Sequence, residues 1–437
     1  MADGIILREA DMLHDGIRGV PPGAGPIPLD AVAAQGWHPA EGTMSLPVLT
    51  LDEDAFAGNR ALMLRYVAEQ GAAIAPHSKT PMAPALAASL VAAGAWGTTV
   101  ADIRQAAVML RAGLNRLILA NQVGGPGGAR RLARLHEAYP RAEIYAFVDS
   151  PEAASALDAA WREARLAPLP VVVEVGTGRA GARDLAAAER VITAVQASEG
   201  RLRLAGIGAY EGAAATVDAE RTRTAIADLA ALAAEAFGKV RAAVGPQAPL
   251  ILTAGGSVYF DLIVQHLGPV AAADGKARLV LRSGAIFFHD HGIYKRGLAA
   301  LDARQGFRLG GAVASASDGF RPALRIWAEV LSRPAPGLAI CGMGMRDVSF
   351  DQDLPTPLRL HRDGRPLASF ARPEEARVMK LNDQHGFLAL GADSPVAVGD
   401  VIEFGISHPC TCLDRWRVIW GIDGQGRVQA AYPTCFG

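Results

Sequence analysis

The chain has 437 residues, half of them hydrophobic, with 43 basic and 44 acidic side chains and a net charge of −1. That length and apolar content allow a large core, while the balanced charge removes the electrostatic footprint expected of a protein that grips nucleic acid or an acidic membrane surface. Four cysteines are too few for a disulfide scaffold, no apolar run approaches the roughly 18 residues of a spanning helix, and the start MADGIILREADML lacks an apolar signal core, so a soluble cytoplasmic protein is expected.

Residues 1–47 are rich in glycine and proline and are expected to pack on the C-terminal part of the chain. Thr50–Gly71 then reads as a first helix. Thr50 is its expected cap, Glu53 completes a capping-box pattern in TLDE, and Phe56, Leu62, Met63, Tyr66 and Val67 form its apolar face. From here to about residue 285 one pattern repeats. A short apolar run ends in polar or glycine residues, and an Ala/Leu-rich helical stretch follows. The runs lie at Ala72–Ala75, Gly97–Val100, Leu117–Ala120, Ile144–Val148, Val171–Val175, Leu204–Ala209, Leu250–Thr253 and Leu279–Arg282. Helical spacing is clear in DIRQAAVMLRAG, where Ile103, Ala106, Ala107, Leu110 and Leu114 share a face and Gly113 supplies the stop.

Such alternation implies parallel strands with crossover helices. Eight units point to an α/β architecture, a (β/α)8 TIM-like barrel, with an open doubly wound sheet as the alternative. The loops after the strands would form the working face. Beyond residue 290 the texture becomes short β-like runs broken by glycine and proline, with IDGQGR as a hairpin turn. The expected division is therefore 1–47 as an N-terminal segment, 48–289 as the barrel and 290–437 as an all-β C-terminal domain.

Several residues on the working face could carry chemistry. Lys79, in APHSKTPMAP, follows the first run. Partly desolvated there, a lysine has a lowered pKa and can form a Schiff base; the plain alternative is a loop lysine in solvent. In VVVEVGTGRAG a β run ends in Gly176 and Gly178, which allow close backbone approach, before Arg179. In LILTAGGSVYF a late strand feeds Gly255, Gly256 and Ser257, a set of backbone N–H groups suited to phosphate. In SHPCTC, His408, Cys410 and Cys412 are spaced by two, so an extended strand would turn all three one way. Imidazole and thiolate suit Zn²⁺, and so few ligands would leave positions open, as catalytic zinc needs. In FFHDHG, His289, Asp290 and His291 diverge along a strand, and Asp290 reads as a structural hydrogen-bonding group at the domain junction.

PHSKT at 76–80, NQVGG at 121–125, EVGTGRAG at 174–181, GIGAYEG at 206–212, AGGSV at 254–258 and HPC at 408–410 occur in the order seen in the D-serine dehydratase and D-threonine aldolase group. The chain resembles these alanine-racemase-like, fold type III enzymes from about Pro47 onward. The resemblance implies that Lys79 holds pyridoxal 5'-phosphate covalently, that Arg179 bonds the cofactor's phenolate oxygen, that Tyr210 lies against its ring, and that Gly255, Gly256 and Ser257 form part of its phosphate site. It implies His408 and Cys410 as zinc ligands and Asn121 and Gln122 as residues reaching the substrate. The implied activity is a dehydratase taking a 3-hydroxy-D-amino acid such as D-serine to a 2-oxo acid and ammonia. The aldolase alternative gives glycine and an aldehyde; its branch resembles H-x-D at the metal, whereas this chain has Cys410. A racemase would need a second base that is not identified here, and a non-enzymatic cofactor-binding protein of the barrel-only kind would lack the β domain. A homodimer is implied by the resemblance alone. His77 and His385 have no assigned role.

Overall fold

The computed structural model describes residues 12–436. The reading of the extreme N-terminus as no signal segment falls on residues 1–11, outside that range. Among the described residues no helix is long and apolar enough to cross a membrane.

The first strand, β1 (Val48–Asp52), leads into α1 (Glu53–Glu69). The cap of α1 is Asp52, which accepts from the Ala55 N–H at 2.8 Å, rather than Thr50. Thr50 is buried in the strand and accepts from the Trp327 indole at 2.9 Å. A β-branched residue flanked by Val48, Leu49 and Leu51 favours the strand, and the aspartate two positions on takes the cap. Of the expected apolar face, Phe56, Met63, Tyr66 and Val67 are buried and Leu62 is half-buried against the same core.

Eight strand–helix units follow. They are β2 (Ala73–Ile74) with α2 (Pro84–Ala92), β3 (Thr98–Val100) with α3 (Ile103–Arg111), β4 (Arg116–Leu119) with α4 (Pro126–Ala138), and β5 (Glu143–Val148) with α5 (Pro151–Ala164). The second half comprises β6 (Leu169–Glu174) with α6 (Leu185–Gln196), β7 (Leu202–Gly208) with α7 (Ala219–Val244), β8 (Leu250–Ala254) with α8 (Phe260–Asp274), and β9 (Ala277–Leu281) with α9 (Ile293–Ala303). The starts are locally encoded. Asp102, Ser150, Asp184 and Asp218 each accept from a first-turn N–H, and Pro84, Pro126 and Pro151 open their helices.

The strands are parallel in the order β2-β9-β8-β7-β6-β5-β4-β3. The remaining gap is spanned just past β2, where Thr99 N–H donates to Pro76 O at 2.9 Å and Ser78 N–H to Thr99 O at 2.8 Å. The result is a nearly closed barrel. Its interior holds Ala75, Ile118, Phe147, Val172, Ala205, Ile251 and Val280, while the larger apolar cluster lies between strands and helices.

Two boundaries differ from the expected ones. Strand β1, expected in the barrel, pairs with Leu324–Ala335 and Val418–Ile422 of the β domain. Helix α9, expected in the all-β part, is the eighth helix of the barrel; Tyr294, Leu298 and Leu301 give it a buried stripe. The β sheet proper begins at Leu324 and runs, in spatial order, through 365–369, 356–362, 401–405, 324–335, 338–341, 386–390 and 376–381. Leu13, Val20, Val32, Trp37 and Met44 of the N-terminal segment share a core with Trp327, Val418 and Trp420 of this sheet. The 418–422 and 428–433 strands form a hairpin, with Gly426 left-handed in its turn (φ 84°).

At the junction, Asp290 accepts from Gly292 N–H at 2.7 Å and Tyr294 N–H at 3.0 Å, fixing the start of α9. Burial pushes its carboxyl up to about 7. The folded value lies above the ordinary one, so the stability tied to the protonated carboxyl is complete below about pH 4 and is lost as pH rises through about 7. Asp290→Asn keeps an oxygen at Oδ1 for both N–H groups and removes the charge. The melting temperature of the wild type is therefore expected to fall relative to that of the variant between pH 5 and 8, as read by thermal denaturation across that range.

Candidate active site at the mouth of the barrel

Lys79 comes one residue after the hydrogen bonds that close the barrel. Ser78 and Thr98 link their hydroxyls beneath it, and Thr98 also donates to Pro76 O at 2.9 Å. The side chain of Lys79 remains reachable by solvent, yet protein surrounds it closely. Burial lowers its pKa, the Cys410 thiolate opposes this, and the Arg179 and Arg282 guanidinium groups add to the lowering. The amine is thus exposed at the mouth of the barrel yet has a lowered pKa. His77 is pushed well below its ordinary value by burial, with the Lys79 charge adding to it, so its imidazole is neutral; its Nδ1 faces the Lys79 N–H at 3.5 Å.

Arg179 lies on a tight loop after β6. Ala182 N–H donates to Glu174 O at 2.8 Å and Gly181 N–H to Asp149 Oδ2 at 3.0 Å. Gly178 is left-handed (φ 74°), and a Cβ there would lie 2.8 Å from Ala213 O, which explains the glycine. The Arg179 guanidinium sits over the Tyr210 ring, 4.7 Å from its centroid. The same ring meets the loop after β8: a Cβ on Gly256 would come within 3.3 Å of it. Lys79, Arg179, Tyr210 and Gly256 thus converge on one mouth.

The loop Gly255–Ser257 departs from expectation. Two of its N–H groups already face a carboxylate: Glu211 accepts from Gly255 N–H at 2.8 Å, from Ser257 N–H at 2.9 Å and from Ser257 Oγ at 2.6 Å. Gly256 and Val258 N–H find no acceptor among the described residues. Gln122 donates to buried Glu174 and lines, with Arg179, a groove of about 870 Å³, whereas Asn121 lines only a neighbouring groove of about 460 Å³, which Gln122 shares. The structure therefore brings Gln122, not Asn121, to the wall that carries Arg179.

His408 and Cys410 approach the same mouth from the β domain. The Cys410 Sγ lies 3.3 Å from Thr80 Oγ1, and His408 Nδ1 lies 2.6 Å from Asp351 Oδ2. Asp351 also accepts from Thr411 Oγ1 at 2.6 Å. Burial opposes the imidazolium, yet Cys410 and Asp351 outweigh it and push His408 up to about 9. Burial likewise opposes the Cys410 thiolate, but His408, Thr80 and the Lys79 charge prevail and lower its pKa. The segment is not an extended strand: Pro409–Leu413 is a short helix. Two residues on a helix are about 200° apart, so Cys412 turns away from Cys410 into the core, where burial pushes its thiol up to about 12. His289 and His291 lie at the junction, and His385 sits in the exposed turn between Ala376–Leu381 and Gly386–Leu390.

The donor sets fit the groups the motifs imply. An amine of lowered pKa, a guanidinium on an aromatic wall and two unengaged N–H groups in the loop before α8 suit pyridoxal phosphate. An imidazole with Nδ1 held by a carboxylate, beside a thiol of lowered pKa, suits a metal ion. Among the described residues no group of three or more His, Cys, Asp or Glu is placed so that it could hold a metal ion, so His408 and Cys410 would stand as a pair.

Sequence reading missed four residues. Glu174 and Glu211 stood inside quoted motifs and Asp351 outside them, and none had a visible partner. Arg282 closes the last apolar run. It is buried, donates to Thr253 Oγ1 at 2.9 Å and Ala209 O at 2.7 Å, and has Glu211 and Glu174 as its balancing charges. A charged residue ending a barrel strand was the available signal.

Residues 51–257 match the "Alanine racemase, N-terminal domain" family, and residues 323–422 match the "Putative serine dehydratase domain" family. The chain is 26% identical over 370 residues to a D-threonine aldolase of Arthrobacter sp, covering 83% of this chain and 85% of that one. It is 27% identical over 259 residues to the D-threo-3-hydroxyaspartate dehydratase of Delftia sp., covering 53% and 66%. The crystal structure of D-threonine aldolase from Filomicrobium marinum superposes with a TM-score of 0.71 at 26% identity, covering 90% and 95%.

The local electrostatics are testable without a substrate. In chelator-treated protein, iodoacetamide is expected to modify Cys410 before Cys412 and Cys341, whose thiols are both pushed up to about 12. Peptide mapping after partial labelling reads the order, and modification of Cys412 or Cys341 first would contradict the assignment.

Proposed function

Taking the chain as a member of the D-serine dehydratase and D-threonine aldolase group of fold type III pyridoxal-phosphate enzymes, a group of lyases to which its two matched domains assign it, we propose that it is a zinc-dependent dehydratase. Its substrate would be a 3-hydroxy-D-amino acid such as D-serine, and its products a 2-oxo acid and ammonia. The observation that carries this reading is the meeting of Lys79 and the His408–Cys410 pair across Thr80, which sets an amine for Cα beside donors for a metal at Cβ.

Bound pyridoxal phosphate supplies an electron sink at the substrate's Cα, and zinc on His408 and Cys410 supplies Lewis-acid polarisation of the β-hydroxyl. The chain's own groups do the rest. Lys79, its pKa lowered by burial, presents a free amine that takes the Cα proton. Arg179, stacked over Tyr210, forms with it the wall that would orient the ring. Asp351 fixes the tautomer and angle of His408, leaving Nε2 for the metal. Loss of the β-hydroxyl and of the Cα proton removes water, and hydrolysis of the resulting enamine yields the 2-oxo acid and ammonia.

The second reading is an aldolase, in which the β-hydroxyl is deprotonated and the Cα–Cβ bond breaks. By sequence it is favoured by the D-threonine aldolase of Arthrobacter sp, which aligns over 83% of this chain against 53% for the dehydratase. The soft thiolate of Cys410 is the reason for preferring dehydration. A homodimer, as the family resemblance implies, is part of the same proposal.

Incubation with D-serine, D-threonine and 3-hydroxy-D-aspartate separates the readings: ammonia with 2-oxo acid is expected, and glycine with an aldehyde would establish the aldolase instead. Borohydride reduction of the cofactor-loaded protein should label Lys79 on peptide mapping, and Lys79→Ala should abolish turnover; a label elsewhere sinks the assignment. Asp351→Ala is expected to weaken zinc affinity by about 10- to 100-fold, measured by competition with a chromophoric chelator.

A further inference from the structure

Glu211 is fully buried on the turn that follows β7, and it faces the loop that follows β8. Both of its oxygens are engaged by donors: Oε2 by Gly255 N–H, and Oε1 by Ser257 N–H and Ser257 Oγ. The loop's carbonyls are held from the other side. Arg282 N–H donates to Gly255 O at 3.1 Å, and Ser283 Oγ reaches Gly255 O at 2.7 Å and Ser257 O at 3.1 Å. Gly255 is left-handed (φ 70°), the conformation that turns successive N–H groups into one concavity. The loop is thus clamped on both sides at residues 255 and 257. In this loop the N–H groups of Gly256 and Val258 are the ones without an acceptor among the described residues, just ahead of the 15-residue α8.

We propose that Glu211 is a positioning residue for the cofactor's phosphate: an anion built into the chain that holds Gly255 and Ser257 so that the Gly256 and Val258 N–H groups are turned out to the ligand. The inference rests on the functional reading above and extends it to a residue that does not touch the reacting atoms. It requires a carboxylate, because all three contacts come from donors. An amide at 211 would set its NH₂ against one N–H and lose that side of the clamp. The negative charge so close to a phosphate site is balanced by buried Arg282. The opposite view is that Glu211 competes with phosphate for the same loop, and the two views predict opposite signs.

The test compares wild type, Glu211→Gln and Glu211→Ala by equilibrium dialysis of the apoproteins against pyridoxal phosphate, with circular dichroism and the apoprotein melting temperature alongside. The expected result is a dissociation constant raised about tenfold in the Gln variant and further in the Ala variant, with the Gln variant folded. Should the Ala variant not fold, the Gln variant alone decides. Constants unchanged or tighter in a folded variant overturn the inference while leaving the functional reading intact. A wild-type protein that binds no pyridoxal phosphate overturns the functional reading and this inference with it.

Discussion

The structure depends on how the barrel closes. The strand order leaves β2 and β3 at the two ends of the sheet, and the gap is spanned by Pro76, Ser78 and Thr99 through backbone hydrogen bonds. The next residue is Lys79. A parallel sheet exposes its edges unless it closes, so the bonds that complete the fold also fix the position of the amine. The hydroxyls of Ser78 and Thr98 and the neutral ring of His77 fill the space around the turn, which leaves the lysine little freedom in where it emerges.

The second constraint is charge held in a small volume. Arg282 is buried at the end of the last strand, with Glu174 and Glu211 around it and the Phe147 ring 5.3 Å from its guanidinium carbon. An unpaired charge at such depth costs several kcal/mol. Each carboxylate also anchors a second group, since Glu174 holds Gln122 and Glu211 holds the Gly255–Ser257 loop. The loops after β4, β6, β7 and β8 are in this way tied to one buried cation, and Arg282 and Arg179 both depress the pKa of Lys79. A site assembled from several loops stays in register because its charges are shared.

The β domain completes the mouth from outside. Strand β1 enters its sheet before the barrel begins, so the chain is stitched into the second domain at both ends. Asp290 sets the start of α9 at the crossing point. The segment 349–353 supports the His408 end of the sheet: Ser349 Oγ accepts from His408 N–H at 3.2 Å, Asp351 holds the imidazole, and the Asp353 carbonyl accepts from Ser407 Oγ at 2.7 Å. Arg18, on the N-terminal segment, pairs with buried Asp347 at 2.7 Å just upstream of it. The thiol and imidazole are thereby held by contacts from parts of the chain up to hundreds of residues away.

All eight barrel strands were legible in the sequence, because alternation of apolar runs with helical spacing is a local property. So were the glycine stop at Gly113 and the hairpin turn at Gly426, both left-handed in the structure. Lys79, Arg179 and the Gly255 loop were visible as out-of-place residues at strand ends. Local pattern misled where two states compete over a few residues. Thr50 resembled a cap but lies in a strand because Trp327 and the distant sheet receive it, and SHPCTC resembled a strand but turns as a helix at Pro409. The sequence alone therefore determined the order of strands and helices in the barrel, since that follows from spacing along the chain, and it offered candidate side chains at the strand ends. Only the tertiary structure decided which of those side chains meet. Thr80 with Cys410, Asp351 with His408, and Glu211 with the loop it clamps are pairings across 330, 57 and 44 residues, and they arise from barrel closure and domain packing that no local pattern encodes.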